Sequence, residues 1–376
     1  MSRLDINGAA DAEPEPRKLG KRLTIGLTYN MKKNIVSTLP DAEAEFDDPD
    51  TIRALQNVLE SAGHAVSLFE ASEDLPLRLT QNRPDIVFNI AEGVNGRGRE
   101  AHVPAILQFL GIPFTGSDET TMCLAMDKAL AKTLVAAAGL HTPKHLIVRA
   151  ETPREDGSIY GRESGSTLGA GIRFSDKLHE AFHKAGLSWP VIVKPNAEGS
   201  SKGLTALSVV RDKAALDDLL ADRLEAYKQD MLVEEYIAGR EFTVGILGNG
   251  EDLRVFPPME ILFLDASQQI YSYHVKQNFK QYVQYACPPD IDGGVREEIE
   301  RAAETVYRAL GCMDVARVDF RLSADGRLCF IELNPLPGLA PGYSDLPILA
   351  SHNGMDYDTL VLRILDSALT RWGLSK

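Results

Sequence analysis

The stretch VARVDFRLSADGRLCFIELNPLPG, residues 315–338, decides the fold because it combines two strand patterns, a turn and a group of polar side chains. Side chains alternate between the faces of a strand, so Arg317 and Asp319 share one face. On the returning strand Glu332 and Asn334 point together. A turn at the Asp-Gly pair closes the hairpin and brings Asp319 near Glu332 and Asn334. Two carboxylates and an amide oxygen suit Mg²⁺, so the hairpin predicts a magnesium site, with a solvated polar face as the alternative.

Upstream, KPNAEGSSKG at residues 194–203 places a lysine at the end of a β-type run, before a loop of small residues. The backbone amides of such a loop can approach phosphate oxygens. The segment is not a Walker P-loop, because that motif opens a helix and this loop leads into the strand pattern TALSVV. The alternative interpretation is a solvated hairpin turn.

Two further segments carry charged residues at the ends of elements. In LVEEYIAGREF, Glu234 and Glu235 end a strand and Glu241 begins the next. Carboxylates at such strand ends can accept hydrogen bonds from a ribose diol or an adenine amino group, although exposed glutamates are the alternative. The pattern AMDKALAKTLVAAAG at residues 125–139 predicts one helix, with Lys128 near its start. Taken alone, this residue is an ordinary surface lysine.

Together and in this order, the four segments resemble the ATP-grasp superfamily and, within it, the D-alanine-D-alanine ligases. The resemblance covers about residues 22–370 and includes LGIPFTGSD followed by AMDK, PVIVKPNAEGSSKG, VEEYIAGREFTV, and RVDF with IELNPLPG. It implies a fold of the α/β and α+β classes, in which two α+β subdomains hold ATP behind a Rossmann-like preATP-grasp domain. It also implies ATP and two Mg²⁺ ions as cofactors, with Mn²⁺ as an alternative ion.

The implied domain organisation follows the chain from end to end. The predicted parts are a disordered tail at 1–20, an N-terminal α/β preATP-grasp domain at 21–117, a central ATP-grasp subdomain at 118–236 with a surface insertion at 151–172, and a C-terminal ATP-grasp subdomain with the metal site at 237–376. Strand and helix patterns alternate in the first domain, whereas the chain from REFTVGILG onward is β-rich up to the hairpin and a C-terminal helix.

The resemblance also implies a role for each matching residue. The residues implied to bind ATP are Lys128, Lys194, Glu198, Ser200, Ser201, Glu234, Glu235 and Glu241. Among these, the lysines contact the phosphates, Glu234 holds the adenine amino group and Glu241 the ribose. The implied catalytic groups are Arg317 and the Gly338 amide at the oxyanion site, and Lys276 in a mobile loop; the metal ligands are Asp319, Glu332 and Asn334; the residues assigned to substrate are Arg97, Arg99 and Ser344.

These roles fit the joining of a carboxylic acid to an amine. A carboxylate is a poor electrophile, so it must first attack the γ-phosphorus of ATP to form an acylphosphate. Mg²⁺ and lysines neutralise the charge between the two anions, and an amine then attacks the acylphosphate. We therefore expect an ATP-dependent carboxylate-amine ligase that forms an amide and releases ADP and phosphate. The D-alanine-D-alanine ligase of peptidoglycan synthesis is the alternative within this class.

The segments expected to bind the acid and the amine differ from those of the family. The family has a glutamate for the amino group of the first substrate after the first strand, but this chain has YNMKKN at 29–34. In AEGVNGRGREAH the chain adds Arg97 and Arg99, and arginine suits bidentate recognition of a carboxylate. We therefore expect a substrate with an additional carboxylate, or one that lacks a free α-amine at the usual place. The alternative is that both arginines are solvated or bound to Glu92 and Glu100.

Three motifs suggest other classes of protein. The segment HEAFH at 179–183 fits the HExxH pattern of a zinc metallohydrolase, although the apolar side of this helix leaves both histidines on its wet flank. The glycines of Gly96-x-Gly98 resemble a dinucleotide fingerprint, but they begin six residues after the third strand. A catalytically silent nucleotide-binding protein is a further alternative, which a complete metal site argues against.

The composition excludes several other classes. The chain has 376 residues with 40 basic and 54 acidic side chains, a net charge of −14, which argues against a nucleic-acid partner. No apolar run approaches the roughly 18 to 20 residues that span a bilayer, so we expect a cytoplasmic protein without a membrane partner. The four cysteines are too scattered for a disulfide framework. The expected partners are small-molecule substrates, and a homodimer is left open.

Overall fold

A computed structural model describes residues 22–33, 41, 43–150, 176–199, 202–264, 270 and 272–375. The predicted tail at 1–20, the predicted insertion at 151–172, Ser200 and Ser201 lie outside the described residues. Three sheets organise the described chain, and the predicted domain boundaries stay predictions.

The first sheet is parallel and three-stranded, with the order β2-β1-β3. Its strands are β1 (Thr24–Tyr29), β2 (Ala65–Glu70) and β3 (Ile86–Asn89), and its helices are α1 (Pro49–Ser61), α2 (Leu75–Gln81) and α3 (His102–Leu110). Helix α1 buries Ile52, Leu55 and Leu59, which share one face at helical spacing. The predicted alternation of strand and helix is confirmed for this part of the chain.

Two helices follow where the sequence predicts one. They are α4 (Glu119–Met126) and α5 (Lys128–Ala137). Asp127 separates them because its backbone is extended, with φ −81° and ψ 96°, and its carboxylate accepts a hydrogen bond from the Leu130 amide at 3.1 Å. The predicted helix is confirmed from Lys128 onward, and the placement of Lys128 at a helix start is confirmed; the prediction is wrong only for Ala125 and Met126, which end the preceding helix.

The second sheet is antiparallel, with the order β4-β7-β5-β6. Its strands are β4 (His145–Val148), β5 (Val191–Pro195), β6 (Val209–Val210) and β7 (Met231–Glu235), and its helices are α6 (Asp176–Lys184) and α7 (Lys213–Tyr227). Strands β5 and β6 flank the loop of small residues, as predicted. In the register of β5 and β7, Ile192 lies opposite Glu234 and Lys194 opposite Leu232.

The third sheet has the order β11-β10-β8-β12-β13, and β9 pairs with β8. Its strands are β8 (Gly239–Leu247), β9 (Arg254–Val255), β10 (Met259–Phe263), β11 (Val283–Ala286), β12 (Val315–Ser323) and β13 (Leu328–Asn334). The helices of this part are α8 (Tyr273–Gln277), α9 (Phe279–Tyr282), α10 (Gly293–Ala309), α11 (Asp345–His352) and α12 (Tyr357–Arg371). The predicted hairpin and C-terminal helix are confirmed. The β-rich interpretation of the preceding segment is wrong for α10, which has 17 residues and buries Ile299, Ala303 and Val306 at helical spacing.

One hydrophobic core joins the first and third sheets. Leu27 and Leu55 of the first sheet and its helix α1 belong to the same cluster as Val315 of β12 and Ile364 of α12. Polar contacts centred on Asp314, which is fully buried, reinforce this connection. Its carboxylate binds the Arg371 guanidinium at 2.7 Å and the Gly116 amide at 2.9 Å. None of the described helices is long and apolar enough to cross a membrane.

Candidate active site

Two adjoining clefts lie between the three sheets. The first cleft contains about 1050 Å³ of empty space and lies between the loops of the first sheet, such as the one carrying Glu45, and the end of β13. The second cleft contains about 640 Å³ and lies between the second and third sheets. Lys276 and Glu332 line both clefts, so the two spaces meet at these side chains.

The hairpin of β12 and β13 brings the predicted metal ligands together. Asp319 pairs directly with Glu332, and Arg317 pairs with Asn334. The Asp319 carboxylate accepts hydrogen bonds from Thr243 Oγ1 at 2.6 Å, Arg317 Nη2 at 2.9 Å and Asn334 Nδ2 at 3.2 Å. The turn and the side-chain alternation predicted from the sequence therefore produce the expected cluster.

Glu332 is held in its charged form by the cations around it. Burial acts to raise the pKa of this carboxyl group, but Lys128, Lys276 and Lys194 outweigh burial and lower the pKa to about 2. Lys128 Nζ lies 3.8 Å from Glu332 Oε2. Glu332 and Asp319 thus present carboxylate oxygens from neighbouring strands, beside the amide of Asn334. This donor set of hard oxygen ligands fits Mg²⁺.

The carboxylate of Glu234 lies between two buried lysines. Lys194 Nζ is 2.5 Å from Oε1 and Lys132 Nζ is 3.2 Å from Oε2. Lys132 is fully buried and donates a hydrogen bond to the Ile331 carbonyl at 2.6 Å. Burial raises the pKa of Glu234, but the two lysines outweigh it and keep the pKa below its usual value. The adenine contact of Glu234 stays a prediction.

Lys132 is a site residue that the sequence analysis missed. It follows Lys128 by four residues, which places the two side chains one helical turn apart on the same face of α5. That spacing is the signal that could have identified it. Its pKa is lowered to about 8, chiefly by burial.

Two further glutamates of the second cleft, Glu235 and Glu241, are each bound by an arginine. Arg321 Nη2 lies 2.6 Å from Glu241 Oε2, and Arg321 Nη1 donates to the Ile237 carbonyl at 2.9 Å. Arg327 Nη2 lies 3.1 Å from Glu235 Oε1. Both glutamates line the cleft, so the sheet edges that the sequence analysis singled out do form one wall.

The loop after β5 is fixed by contacts with its neighbours. Lys128 Nζ donates to the Glu198 carbonyl oxygen at 2.5 Å. The Glu198 carboxylate lies 3.0 Å from Arg99 Nη2 and 3.2 Å from Lys202 Nζ. Glu198 and Gly199 line the first cleft, so this loop forms the boundary on the side of the first sheet.

Both arginines predicted to contact substrate lie near protein carboxylates, and their substrate role stays a prediction. Arg99 is buried and its guanidinium binds Glu45 twice, at 2.5 and 3.1 Å, in addition to Glu198. Arg97 is 77% exposed and lies 3.6 Å from Asp127. Neither arginine is among the described residues that line either cleft. The loop folds Arg99 back onto the carboxylates of Glu45 and Glu198, which neutralise its charge.

Glu45 is, after Lys132, a second residue of the site that the sequence analysis did not predict. Its side chain is 2% exposed and accepts a hydrogen bond from the Gly199 amide at 2.7 Å. Lys202 Nζ lies 3.1 Å from its other oxygen. Because Glu45 follows β1 by many residues, only the folded loop shows that it reaches the cleft.

Arg317, Gly338 and Ser344 lie together in the first cleft. A Cβ atom at Gly338 would approach Ser344 Oγ to 2.8 Å, so glycine keeps this backbone clear. Ser344 Oγ itself accepts a hydrogen bond from the Ala340 amide at 3.1 Å. The predicted oxyanion groups are therefore close to the predicted metal ligands, and their roles stay predictions.

The HEAFH segment does not form a zinc site among the described residues. His179 Nε2 lies 3.2 Å from Asp217, and the His183 ring packs edge-on against Phe182 at 5.8 Å. Within the described part of the chain, the only three His, Cys, Asp or Glu side chains close enough to share a metal ion are Glu45, Glu92 and Glu100 in the first cleft.

Comparison with known proteins identifies the family. The family model described as "D-ala D-ala ligase C-terminus" matches residues 172–366. A D-alanine-D-alanine ligase of Gloeobacter violaceus is 31% identical over 317 residues, which cover 84% of this chain and 93% of that protein. This chain belongs to the D-alanine-D-alanine ligase family. It is therefore an ATP-grasp ligase that forms C–N bonds, from a family that uses ATP and Mg²⁺.

Two further comparisons extend the similarity along most of the chain. The uncharacterized protein y4sG of Sinorhizobium fredii is 31% identical over 322 residues, which cover 84% of this chain and 86% of that protein. A crystal structure of the Bacillus anthracis D-alanine-D-alanine ligase complexed with ATP has a TM-score of 0.66 and 22% identity. The match covers 94% of this chain and 100% of that one, so the ATP-grasp fold is shared along the chain.

Proposed function

We propose that this ligase joins an amino-acid-like carboxylic acid to an amine through an acylphosphate, and releases ADP and phosphate. One observation carries the proposal: Glu332, opposite Asp319 on the hairpin, lies where the two clefts meet and is surrounded by cations. A phosphoryl group that passes from a nucleotide in the second cleft to an acid in the first cleft would pass this point.

The second cleft supplies the nucleotide site. Its walls combine the apolar side chains of Ile192 and Ile331 with the paired glutamates Glu234 and Glu241. Lys194 projects from the end of β5 toward the junction and offers a fixed cation to the phosphates. Asp319, Glu332 and Asn334 would hold Mg²⁺, which neutralises phosphate charge when it is bound.

The first cleft supplies the acid and the amine. Arg317 and the backbone amide of Gly338 face the same space as Glu332. A guanidinium and an N–H aimed at the developing oxyanion stabilise the tetrahedral state formed when the amine attacks. Lys276 lines both clefts and so can contact the reacting groups from either side.

The D-alanine-D-alanine ligase activity named for the Gloeobacter and Bacillus proteins is the second candidate. The sequence match over most of the chain favours it. The segment YNMKKN at 29–34, where the family has a glutamate for the amino group of the first substrate, favours a different pair of substrates.

The test measures ADP release with D-alanine alone and with a panel of amino acids and amines, and identifies products by mass spectrometry. Hydroxylamine added to the same reactions traps an acylphosphate as a hydroxamate. We expect a hydroxamate and an amide product for at least one acid. ADP release without any acid-dependent product would contradict the proposal, and exclusive formation of D-alanyl-D-alanine would select the second candidate.

A further inference from the structure

Strands β8 and β12 present two cross-strand pairs of polar residues on one face of the third sheet. In their register Thr243 lies opposite Asp319, and Glu241 lies opposite Arg321. Residues two apart on a strand share a face, so both pairs lie on the same side of the sheet, roughly 7 Å apart along the strands. Asp319, Glu241 and Arg321 line the second cleft. One pair therefore contains a predicted metal ligand, and the other lies farther along the same wall.

Arg321 binds Glu241 through only one of the two carboxylate oxygens. Arg321 Nη2 donates to Glu241 Oε2 at 2.6 Å, and Arg321 Nε donates to the same oxygen at 3.2 Å. Within the described part of the chain, no hydrogen bond or ion pair reaches Glu241 Oε1. A carboxylate can accept further hydrogen bonds on its second oxygen. Glu241 therefore retains one oxygen that can accept from a ligand in the cleft.

The Arg321 guanidinium is held by the segment that connects the second and third sheets. Arg321 Nη1 donates to the Ile237 carbonyl at 2.9 Å, and the guanidinium lies 5.4 Å from the centre of the Tyr236 ring. Tyr236 and Ile237 directly follow β7 of the second sheet, whereas Arg321 belongs to β12 of the third. Each nitrogen of the guanidinium thus has a partner, and the side chain fixes Glu241 relative to both sheets that form the cleft.

We propose that Arg321 is a positioning residue that determines which sugar the nucleotide site accepts. By holding Glu241 Oε2, it directs Oε1 toward a sugar hydroxyl, so the protein distinguishes a ribonucleotide from its deoxy analogues. The inference rests on the proposed function, because it concerns the nucleotide of the same cleft. It adds to the ribose contact implied for Glu241 the residue that orients this contact, and the sequence analysis gave Arg321 no role.

The charge of the pair suits a neutral hydroxyl donor. The second cleft already contains the carboxylates of Glu234, Glu332 and Asp319, and a nucleotide adds negative phosphates. An unpaired Glu241 would repel those phosphates. The guanidinium is always charged, so the Glu241–Arg321 pair carries no net charge, and its second oxygen can still accept a hydrogen bond.

The test is a binding measurement on the full chain that requires no turnover. Calorimetric titrations compare ATP, 2′-deoxyATP and 3′-deoxyATP at one Mg²⁺ concentration, without an acid or an amine. The quantity measured is the ribose preference, the Kd of a deoxy analogue divided by the Kd of ATP in the same protein. A general loss of stability does not change this ratio. We expect the parent to bind ATP at least about tenfold more tightly than one of the two analogues, the value of a hydrogen bond to a charged group.

Variants of the pair locate the interaction. Arg321→Met removes the guanidinium, and the ribose preference should fall below about threefold. Glu241→Gln should have the same effect, and the double variant should lose no more than either single variant, because both act on one hydrogen bond. Arg321→Lys keeps a positive charge with one nitrogen in place of three, so it retains charge pairing and should still lower the preference at least about threefold.

Arg240→Met is the matched control. Arg240 lies on the same strand as Glu241 and forms an Arg–Glu pair with Glu260 at 2.6 Å. Because it is the adjacent residue of the strand, its side chain lies on the opposite face of the sheet, and it is absent from the described lining of both clefts. This variant should keep the parental ribose preference.

The outcomes separate this inference from the ligase proposal. The inference is overturned if the parent binds all three nucleotides equally, if both Arg321 variants keep the parental preference, or if Arg240→Met loses it to the same extent. It is also overturned if Glu241→Gln keeps the preference that Arg321→Met loses, since Arg321 would then contact the sugar itself. The expected preferences without any ligation product contradict the ligase proposal alone, and a failure to bind ATP contradicts both.

Discussion

The second cleft pairs its buried carboxylates with cations of its own sheets, whereas the first cleft leaves two carboxylates without a cation. Glu234 lies between two lysines, and Glu241 binds Arg321. Glu92 and Glu100 have no comparable partner among the described residues. The second cleft consists of the segments that match the family closely, and the first contains those that depart from it. The raised pKa values of Glu92 and Glu100 therefore mark the part of the site in which this chain departs from the family.

The largest effect is expected from variants of the metal ligands at the junction of the two clefts. Glu332→Gln and Asp319→Asn each remove an anionic ligand atom without changing side-chain size, so ADP release should fall at least about 1000-fold. The thermal midpoint should stay close to that of the parent. Glu73→Gln is the charge-matched control. Near-parental ADP release in either junction variant would show that the hairpin is not the metal site.

Arg99→Ala tests whether the Arg99 guanidinium stabilises the fold through Glu45 and Glu198 or binds a substrate carboxylate. Removal of Arg99 leaves Glu45 and Glu198 with a single shared lysine, so the free energy of unfolding should fall by about 3–5 kcal/mol. Urea unfolding measures this loss. A stable variant with weakened binding of a dicarboxylic acid would restore the substrate contact predicted from the sequence.

Lys194→Ala sharpens the assignment of the second cleft. A fixed cation at the phosphates has Lys128 as its neighbouring replacement, so we expect the KM for ATP to rise about 10- to 100-fold. Steady-state kinetics at saturating acid measure this change. Lys184→Ala, on an exposed part of α6, is the control. An unchanged KM for ATP would remove Lys194 from the nucleotide site.

Glu100→Gln tests, through the pH dependence of the free energy of unfolding, whether Glu100 keeps its proton in the folded protein. Since burial and Glu45 raise the pKa of Glu100 from 4.5 to about 8, the folded protein retains a proton that the unfolded chain releases between these values. Stability from this group is therefore lost as pH rises from about 4.5 to 8.

The glutamine does not titrate, so its stability advantage over the parent should grow between pH 5 and pH 8.5 by at least about 1.4 kcal/mol, the value of one pKa unit. The charges that face this position, Glu45, Arg99, Lys128 and Glu198, are the same in both proteins. Urea unfolding across this pH range provides the measurement. An advantage that does not change with pH would mean that Glu100 is charged and compensated in the folded state.

The smallest expected effect belongs to Arg97→Ala. This side chain is 77% exposed and 3.6 Å from its acidic neighbour, so its loss should change the free energy of unfolding by less than about 1 kcal/mol. The contrast with Arg99→Ala separates the two arginines that the sequence treats alike. Equal losses in both variants would contradict the different burial of the two side chains.

The sequence predicted those parts of the site that depend on interactions between residues close together in the chain, such as strand alternation and turns. Strand alternation and a tight turn were enough to place Asp319 beside Glu332, and the order of the family-like segments predicted the fold. The helix break at Asp127 was missed because a side-chain cap overrides an otherwise continuous helical pattern. Helix α10 was overlooked although its apolar residues recur at helical spacing.

The pairing of buried charges could not be predicted because it depends on contacts between distant segments. Arg99 and Glu45 are separated by two strands and two helices, and the sequence around neither residue indicates its partner. The same applies to the bond between Lys132 and the Ile331 carbonyl. From the sequence alone, an arginine in a loop is equally consistent with a substrate contact and with an internal ion pair. Only the three-dimensional structure distinguishes the two.

The shared core of the first and third sheets has a consequence for how the chain is made. Leu27 and Leu55 leave the ribosome long before Ile364 and Leu365, which belong to the same core. Domains generally fold as they are synthesised, N-terminal part first, but this first sheet cannot complete its core until α12 has been synthesised. Translation that stops before α12 would therefore release a chain with an exposed apolar face, a natural target for chaperones and proteases.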